Sequence, residues 1–232
     1  IMNYGLKIIT LLTLFVLLLI TGQLLFSQEE QEETVVVSKI RMAVSAGVNL
    51  QNFYGKNVDG NDLTYNLAFG YHGGATLTVK VAPSLFLQPG LLFYAKGARQ
   101  KILTYIIRTT KLFYIEVPFN LLFSPQMGNG HALLGAGPYF ARGLTGSQND
   151  TRYGSIPVKF RNEANLSTDD YIYYKPFDYG GNIVFGYEFI SGFFCQFNAQ
   201  LGLHKINPGY GISDDKTSKK NIGYGISAGY RF

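Results

Sequence analysis

From residue 41 onward the chain alternates apolar and polar positions in eight segments, separated by polar or Gly/Pro-rich breaks. A period of two marks a strand that presents its two faces to different environments. In residues 41–53, Met42, Val44, Ala46, Val48 and Leu50 oppose Ser45, Gly47, Asn49 and Gln51. The same pattern runs through residues 66–81, 85–96, 112–124, 132–145, 177–189 and 193–206, and through the closing stretch NIGYGISAGYRF (221–232). Segments of roughly ten residues or more suit tilted strands that cross a bilayer. The breaks after the second, fourth and sixth segments are short, and the others are longer, above all 146–176. The expectation is an all-β fold: an eight-stranded antiparallel up-and-down transmembrane β-barrel, with short turns and both termini at the periplasmic end and long loops outside. Pro89, Pro118 and Pro138 fall inside predicted strands. Each removes a ladder donor, and a closed barrel has no edge to hide it on, so bulges or local breaks are expected there.

Composition indicates which face meets lipid. The polar faces hold Gln, Asn, Thr and Gly rather than the Lys/Glu mixture of a solvated surface. The apolar faces carry Phe123, Tyr179, Tyr187, Tyr224 and Tyr230 near strand ends, placed as interfacial girdles. A soluble lipocalin-like barrel, apolar inside, is the alternative that alternation alone leaves open. Lys7, the apolar run IITLLTLFVLLLI (8–20) and Ser27 read as a secretory signal peptide over residues 1–27, with a retained membrane anchor as the alternative. The acidic stretch 28–39 reads as a flexible periplasmic N-terminus, and 40–232 as the barrel. The formal charge of +5 is too mild to imply a nucleic-acid partner. A single cysteine, Cys195, excludes an intramolecular disulfide.

With polar faces inward, Lys80, Lys96, Glu116, Asp178, Glu188 and Arg231 point into the lumen. An eight-stranded barrel is just wide enough to be filled by side chains, and buried charges are costly unless paired. A lumenal charge network among these six is therefore expected, with glycines of the last strand making room for larger neighbours. Arg142 and Lys205 fall on the lipid parity towards the outer strand ends, where long side chains snorkel to headgroups. The stretch KGARQKILTYIIRTTKLFY (96–114) has five bases and no acid. It predicts that strands three and four run beyond the membrane as a hairpin. Arg99, Lys101, Arg108 and Lys111 are its candidates for contact with lipopolysaccharide phosphates or an acidic partner, against a merely solvated hairpin.

Catalytic signals are sparse. His72, His131 and His204 lie on different segments without metal-ligand spacing, so neither metal nor cofactor is expected. His204, read as inward near the outer mouth, with Ser213 or Asp214, is the best hydrolase candidate, although such sets arise readily by chance. The pairs Asp169–Asp170 and Asp214–Asp215 and the sequon NLS (165–167) read as loop residues. The residues point to a protein that is not an enzyme.

The segments YIEVPFNLLFSP (114–125), GAGPYFARGLTG (135–146), FDYGGNIVFGYEF (177–189), FNAQLGLHKINP (197–208) and YGISAGYRF (224–232) resemble, in order, the PorT-like outer-membrane β-barrel family of Bacteroidota. GLLFYAKGAR (90–99) is similar to its third strand. The resemblance covers most of residues 40–232 and implies an outer-membrane barrel. Its name-giving member is associated with protein secretion. The expected role is structural, interaction or assembly, with outer-membrane lipid, lipopolysaccharide and other envelope proteins as partners; a mouth-sited hydrolase or a narrow channel is the alternative. The closing strand, with Tyr230 and Phe232, also looks like the signal read by barrel-insertion machinery.

Overall fold

The computed structural model describes residues 40–103, 106–152, 154–163, 171–209 and 216–232. The leader, the acidic N-terminal stretch, Ser213, both acidic pairs and the sequon lie outside these residues. Ten strands and no helix occur among the described residues. They are β1 (Ile40–Lys56), β2 (Ala68–Ala82), β3 (Leu85–Leu103), β4 (Ile106–Phe123), β5 (Gly130–Asp150), β6 (Gly154–Phe160), β7 (Ile172–Tyr174), β8 (Phe177–Phe189), β9 (Phe193–Gly202) and β10 (Ser218–Arg231).

Eight of the ten form a closed ring of antiparallel pairs in the order β1-β2-β3-β4-β5-β8-β9-β10, with β10 returning to β1. Closure leaves no unpaired edge along the wall. The strand count differs from the expected eight because the 146–176 stretch is not a plain loop. There β5 runs on to Asp150 and pairs with β6, and β6 pairs with β7 in parallel. The third and fourth strands also extend past the ring, pairing from Gly97↔Lys111 to Leu103↔Ile106. In contrast, β9 stops at Gly202 rather than near residue 206.

The faces are inverted relative to a water-soluble protein. Phe69, Leu91, Phe140, Ile183, Phe185 and Ile226 are exposed on the outside of the ring, each more than half accessible. Asn49, Gln51, Gln88, Asn120, Asn182, Asn198 and Gln200 are buried inside it. An apolar exterior around a polar interior is the arrangement of a lipid-embedded barrel.

All three prolines lie within strands and cause local gaps, with no change of register. Leu77 and Thr78 lose their partners opposite Gln88 and Pro89 in the β2–β3 ladder. Gly90 and Leu91 lose theirs opposite Val117 and Pro118 in β3–β4. Phe119 and Asn120 lose theirs opposite Gly137 and Pro138 in β4–β5. Each proline remains paired with the following strand: Pro89 with Phe119, Pro118 with Tyr139, and Pro138 with Gly181. A residue in an antiparallel strand aims its N–H at one neighbour only, so a missing N–H breaks one ladder and spares the other. The register shifts fall elsewhere, at Lys80/Ala82, Lys101/Leu103 and Phe113/Tyr114.

Candidate functional site: the filled interior of the ring

Two apolar clusters occupy opposite ends of the interior. At the short-turn end, Ala43, Leu122, Leu133 and Phe194 pack together, with Phe86 against them. At the loop end, Phe53, Leu112, Tyr114 and Tyr139 from the wall meet Val158 of β6, Tyr174 of β7 and Ile206 of the last loop. Phe160 and Ile172 pack onto that cluster. The two extra strands therefore supply apolar side chains to the core at the loop end.

Two sets of ion pairs cross the interior, one beside the loop-end cluster and one level with the short-turn cluster. In the first, Lys96 of β3 sits with its Nζ 2.8 Å from Glu116 Oε2 and 3.0 Å from Asp178 Oδ2. Asp178 Oδ2 also accepts bonds from the Tyr139 hydroxyl at 3.2 Å and Asn221 Nδ2 at 2.8 Å. Gln200 Nε2 donates to Glu116 Oε1 at 2.5 Å. The Lys96 ammonium lies 4.0 Å from the centre of the Tyr139 ring, a cation–π contact in a water-poor setting. Lys96, Glu116 and Asp178 are all essentially inaccessible to solvent. Alternation makes this possible: each residue sits on the inward parity of its strand, and the consecutive strands β3 and β4 meet the distant β8 across the bore.

The second set lies near the short turns. Glu188 Oε2 accepts from Arg231, and Glu188 Oε1 accepts from Arg41 Nη2 at 2.5 Å. The Arg231 guanidinium lies 5.4 Å from the Phe194 ring centre. Formal charges do not cancel within either set. The first has two acids and one base, and the second has two bases and one acid. The interior is thus polarised along the barrel axis and balanced only as a whole.

Of the six residues expected in the lumenal network, Lys96, Glu116, Asp178, Glu188 and Arg231 enter these sets. Lys80 does not; it is exposed at the end of β2. It keeps the inward parity of His72 and Thr78 and pairs with Phe86, but it stands at the rim beside the turn, and the register shifts only after it. Arg41 was not among the expected residues, although its odd number gives it the parity of Asn49 and Gln51. Between the two sets runs a polar belt in which His72 stacks on Tyr94 at 4.8 Å and Asn198 Nδ2 donates to the Tyr94 hydroxyl at 2.6 Å. The glycines of β10 make room for it: a Cβ on Gly223 would lie 2.3 Å from Gln51, and one on Gly225 would lie 2.7 Å from Asn198.

The basic hairpin divides its residues between two faces. Arg99 pairs with Thr109, Lys101 with Ile107 and Lys111 with Gly97, so Arg99, Lys101 and Lys111 share the outward face and are exposed. Arg108 has the opposite parity, and its Nη2 pairs with Asp150 Oδ2 at 3.3 Å. The extended β5 thus supplies an acid that a reading of 96–114 alone does not contain. His204, expected inside the mouth, stacks instead on outward-facing Tyr179 at 4.7 Å. Because β9 has ended at Gly202, its parity no longer applies. Among the described residues no group of His, Cys, Asp and Glu is arranged to hold a metal ion. At the closing strand, Phe232 N donates to Met42 O at 2.8 Å, and the Tyr230 and Phe232 rings meet edge to face.

The family described as outer membrane protein beta-barrel domain matches residues 26–207. Among solved structures, Ail, the attachment invasion locus protein of Yersinia pestis, is 12% identical with a TM-score of 0.39, over 83% of this chain and 99% of that one; it was solved in complex with the heparin analogue sucrose octasulfate. An outer membrane channel from Pseudomonas putida F1 is 8% identical with a TM-score of 0.31, over 88% of this chain and 100% of that one. No curated protein matches the sequence.

Proposed function

The chain belongs to the family of outer membrane protein beta-barrel domains and resides in the bacterial outer membrane; from that premise we propose that it is a side-chain-filled barrel with a structural, interaction or assembly role, and not an enzyme. The observation that carries this reading is the interior itself. Ion pairs cross the bore at two levels, and apolar clusters stand at both ends. A wall braced this way from within leaves the strands beyond it, β6, β7 and the β3–β4 hairpin, as the surface for partners. The PorT-like resemblance makes an accessory role in protein secretion the finer form of the proposal, with other envelope proteins as partners. Arg99, Lys101 and Lys111 form a cationic face that suits lipopolysaccharide phosphates. Tyr230 and Phe232 are the residues offered to the insertion machinery.

The test is conductance in planar bilayers combined with crosslinking in native membranes. The expected result is no sustained single-channel opening, and crosslinks from the hairpin to a defined envelope protein. Steady ion conductance by the intact chain would overturn the filled-barrel reading. A narrow channel is the second reading, favoured by the polar belt, where atoms such as His72 Nδ1 and Ser227 Oγ are buried without a hydrogen-bond partner.

A further inference from the structure

Outside the ring, at the loop end of β5 and β8, lies a cleft of about 360 Å³ lined by Phe140, Asn162, Lys175, Phe177, Tyr179 and His204. Register places it on the outer wall. Phe140 pairs with Tyr179 and Arg142 with Phe177, and Phe140, Phe177 and Tyr179 are all exposed. The His204 ring closes one side by stacking on Tyr179. Lys175 is held in place by its backbone N–H, which donates to Ile206 O at 2.7 Å.

The cleft is apolar below and cationic above. Lys175 and Lys220 both act on His204 electrostatically, and Arg142 is exposed on the neighbouring strand. Asp178 also lines the cleft, but its Oδ2 is taken up by Lys96, Tyr139 and Asn221 on the inner side. In a barrel whose long loops face outward, this is the level of the outer-leaflet headgroups. A ligand that matches such a wall has an anionic head and apolar tails.

We propose that this cleft binds the phosphate-bearing headgroup of an outer-leaflet glycolipid, with Lys175 and His204 against the phosphate and Phe140, Phe177 and Tyr179 along the acyl chains. The proposal rests on the outer-membrane placement and is independent of the hairpin contact, which lies beyond the ring. A cation at this depth attracts phosphate while its aliphatic stem stays against apolar surface.

The experiment is native mass spectrometry of the full chain with diphosphoryl lipid A and with its dephosphorylated form. Lys175→Gln should weaken diphosphoryl lipid A binding by about fivefold, since a base near a charged lipid surface contributes on the order of 1 kcal/mol. The exposed Lys216→Gln should leave binding unchanged. Dephosphorylated lipid A should bind the intact chain as weakly as diphosphoryl lipid A binds the variant. Retained heat-modifiable migration on a gel establishes that a variant is folded; should Lys175→Gln misfold, His204→Gln with Lys220→Gln serves as the second variant.

Equal binding of the two lipid A forms would overturn the proposal, because the phosphate would then not be read. So would loss of binding only when Arg99, Lys101 and Lys111 are changed to Gln, an outcome that leaves the hairpin contact standing. Displacement of lipid A by equimolar inorganic phosphate would reassign the cleft to a soluble anion and likewise sink the lipid proposal.

Discussion

Lys96 and Asp178 touch across the ring, Nζ to Oδ2 at 3.0 Å, although β4 and β5 separate the strands that carry them and 82 positions separate them in the chain. Neighbouring strands are already held by their ladders. A side-chain bond that skips two strands instead braces the circular cross-section against flattening, and its position between three tyrosine rings keeps water from competing.

Removing that brace should be costly. Lys96→Met leaves Glu116 and Asp178 facing each other without a base, and breaking a buried pair costs roughly 3–5 kcal/mol. Reversible urea unfolding in lipid vesicles should show a large fall in stability. Adding Glu116→Gln and Asp178→Asn should recover much of it. A single variant as stable as the parent would show that the set is hydrated and contributes little.

The two arginines on Glu188 should differ in weight. The Arg231 side chain is 2% exposed and that of Arg41 is 42% exposed. Arg231→Ala should therefore cost several kcal/mol, on the order of 3–5, and Arg41→Ala about 1 or less. Comparing their urea midpoints checks this, and equal losses would contradict the assignment of burial as the cause.

Close packing at β10 gives a third expectation. A Cβ on Gly229 would lie 2.4 Å from the Phe194 ring, which is itself buried. Gly229→Val should destabilise by about 1–3 kcal/mol through overpacking, with hydrogen exchange rising along the β9–β10 ladder. Gly181, whose added Cβ would meet only an atom 4.0 Å away, should accept Ala with little effect.

Deleting Phe232 removes one outward aromatic and the backbone bond to Met42 O. The proposed insertion role predicts slower appearance of folded protein in the outer membrane in pulse-chase fractionation, with refolding in detergent hardly altered. Equal slowing of both would make the residue structural only.

The lipid cleft should respond to pH. Burial, then Lys175, holds the His204 pKa below the ordinary histidine value, with Lys220 adding to the effect and Asp178 opposing it. The imidazole is therefore neutral near pH 7, and its protonation at lower pH adds a cation beside the phosphate. The phosphate itself loses charge between pH 7 and pH 5, so lipid A binding should weaken in His204→Gln over that range and hold up better in the intact chain. The sign for folding is opposite. The unfolded chain takes up the proton first, near its ordinary pKa of about 6.5, so the stability contributed by neutral His204 is complete above that pH and is lost as pH falls.

The alternation of residues determined much of this protein by itself. A period of two assigns every side chain of a strand to one of two faces, so the inward parity of Lys96, Glu116, Asp178, Glu188 and Arg231 was legible before any pairing was known. The parity of Arg41 was equally legible, and only its place at the start of the first segment obscured it. The prolines were legible as disturbances, because a missing donor is a local fact. What only the tertiary structure decided depends on register and on where strands stop. Asp150 neutralises Arg108 because β5 outlasts its alternating stretch and runs beside the hairpin. Lys80 stays out of the charge network because its inward position falls at the end of β2, on the open rim. His204 lies on the outer wall because β9 ends two residues before it. Strand length and register are set by pairing energies summed across the ring, and no single segment carries that information.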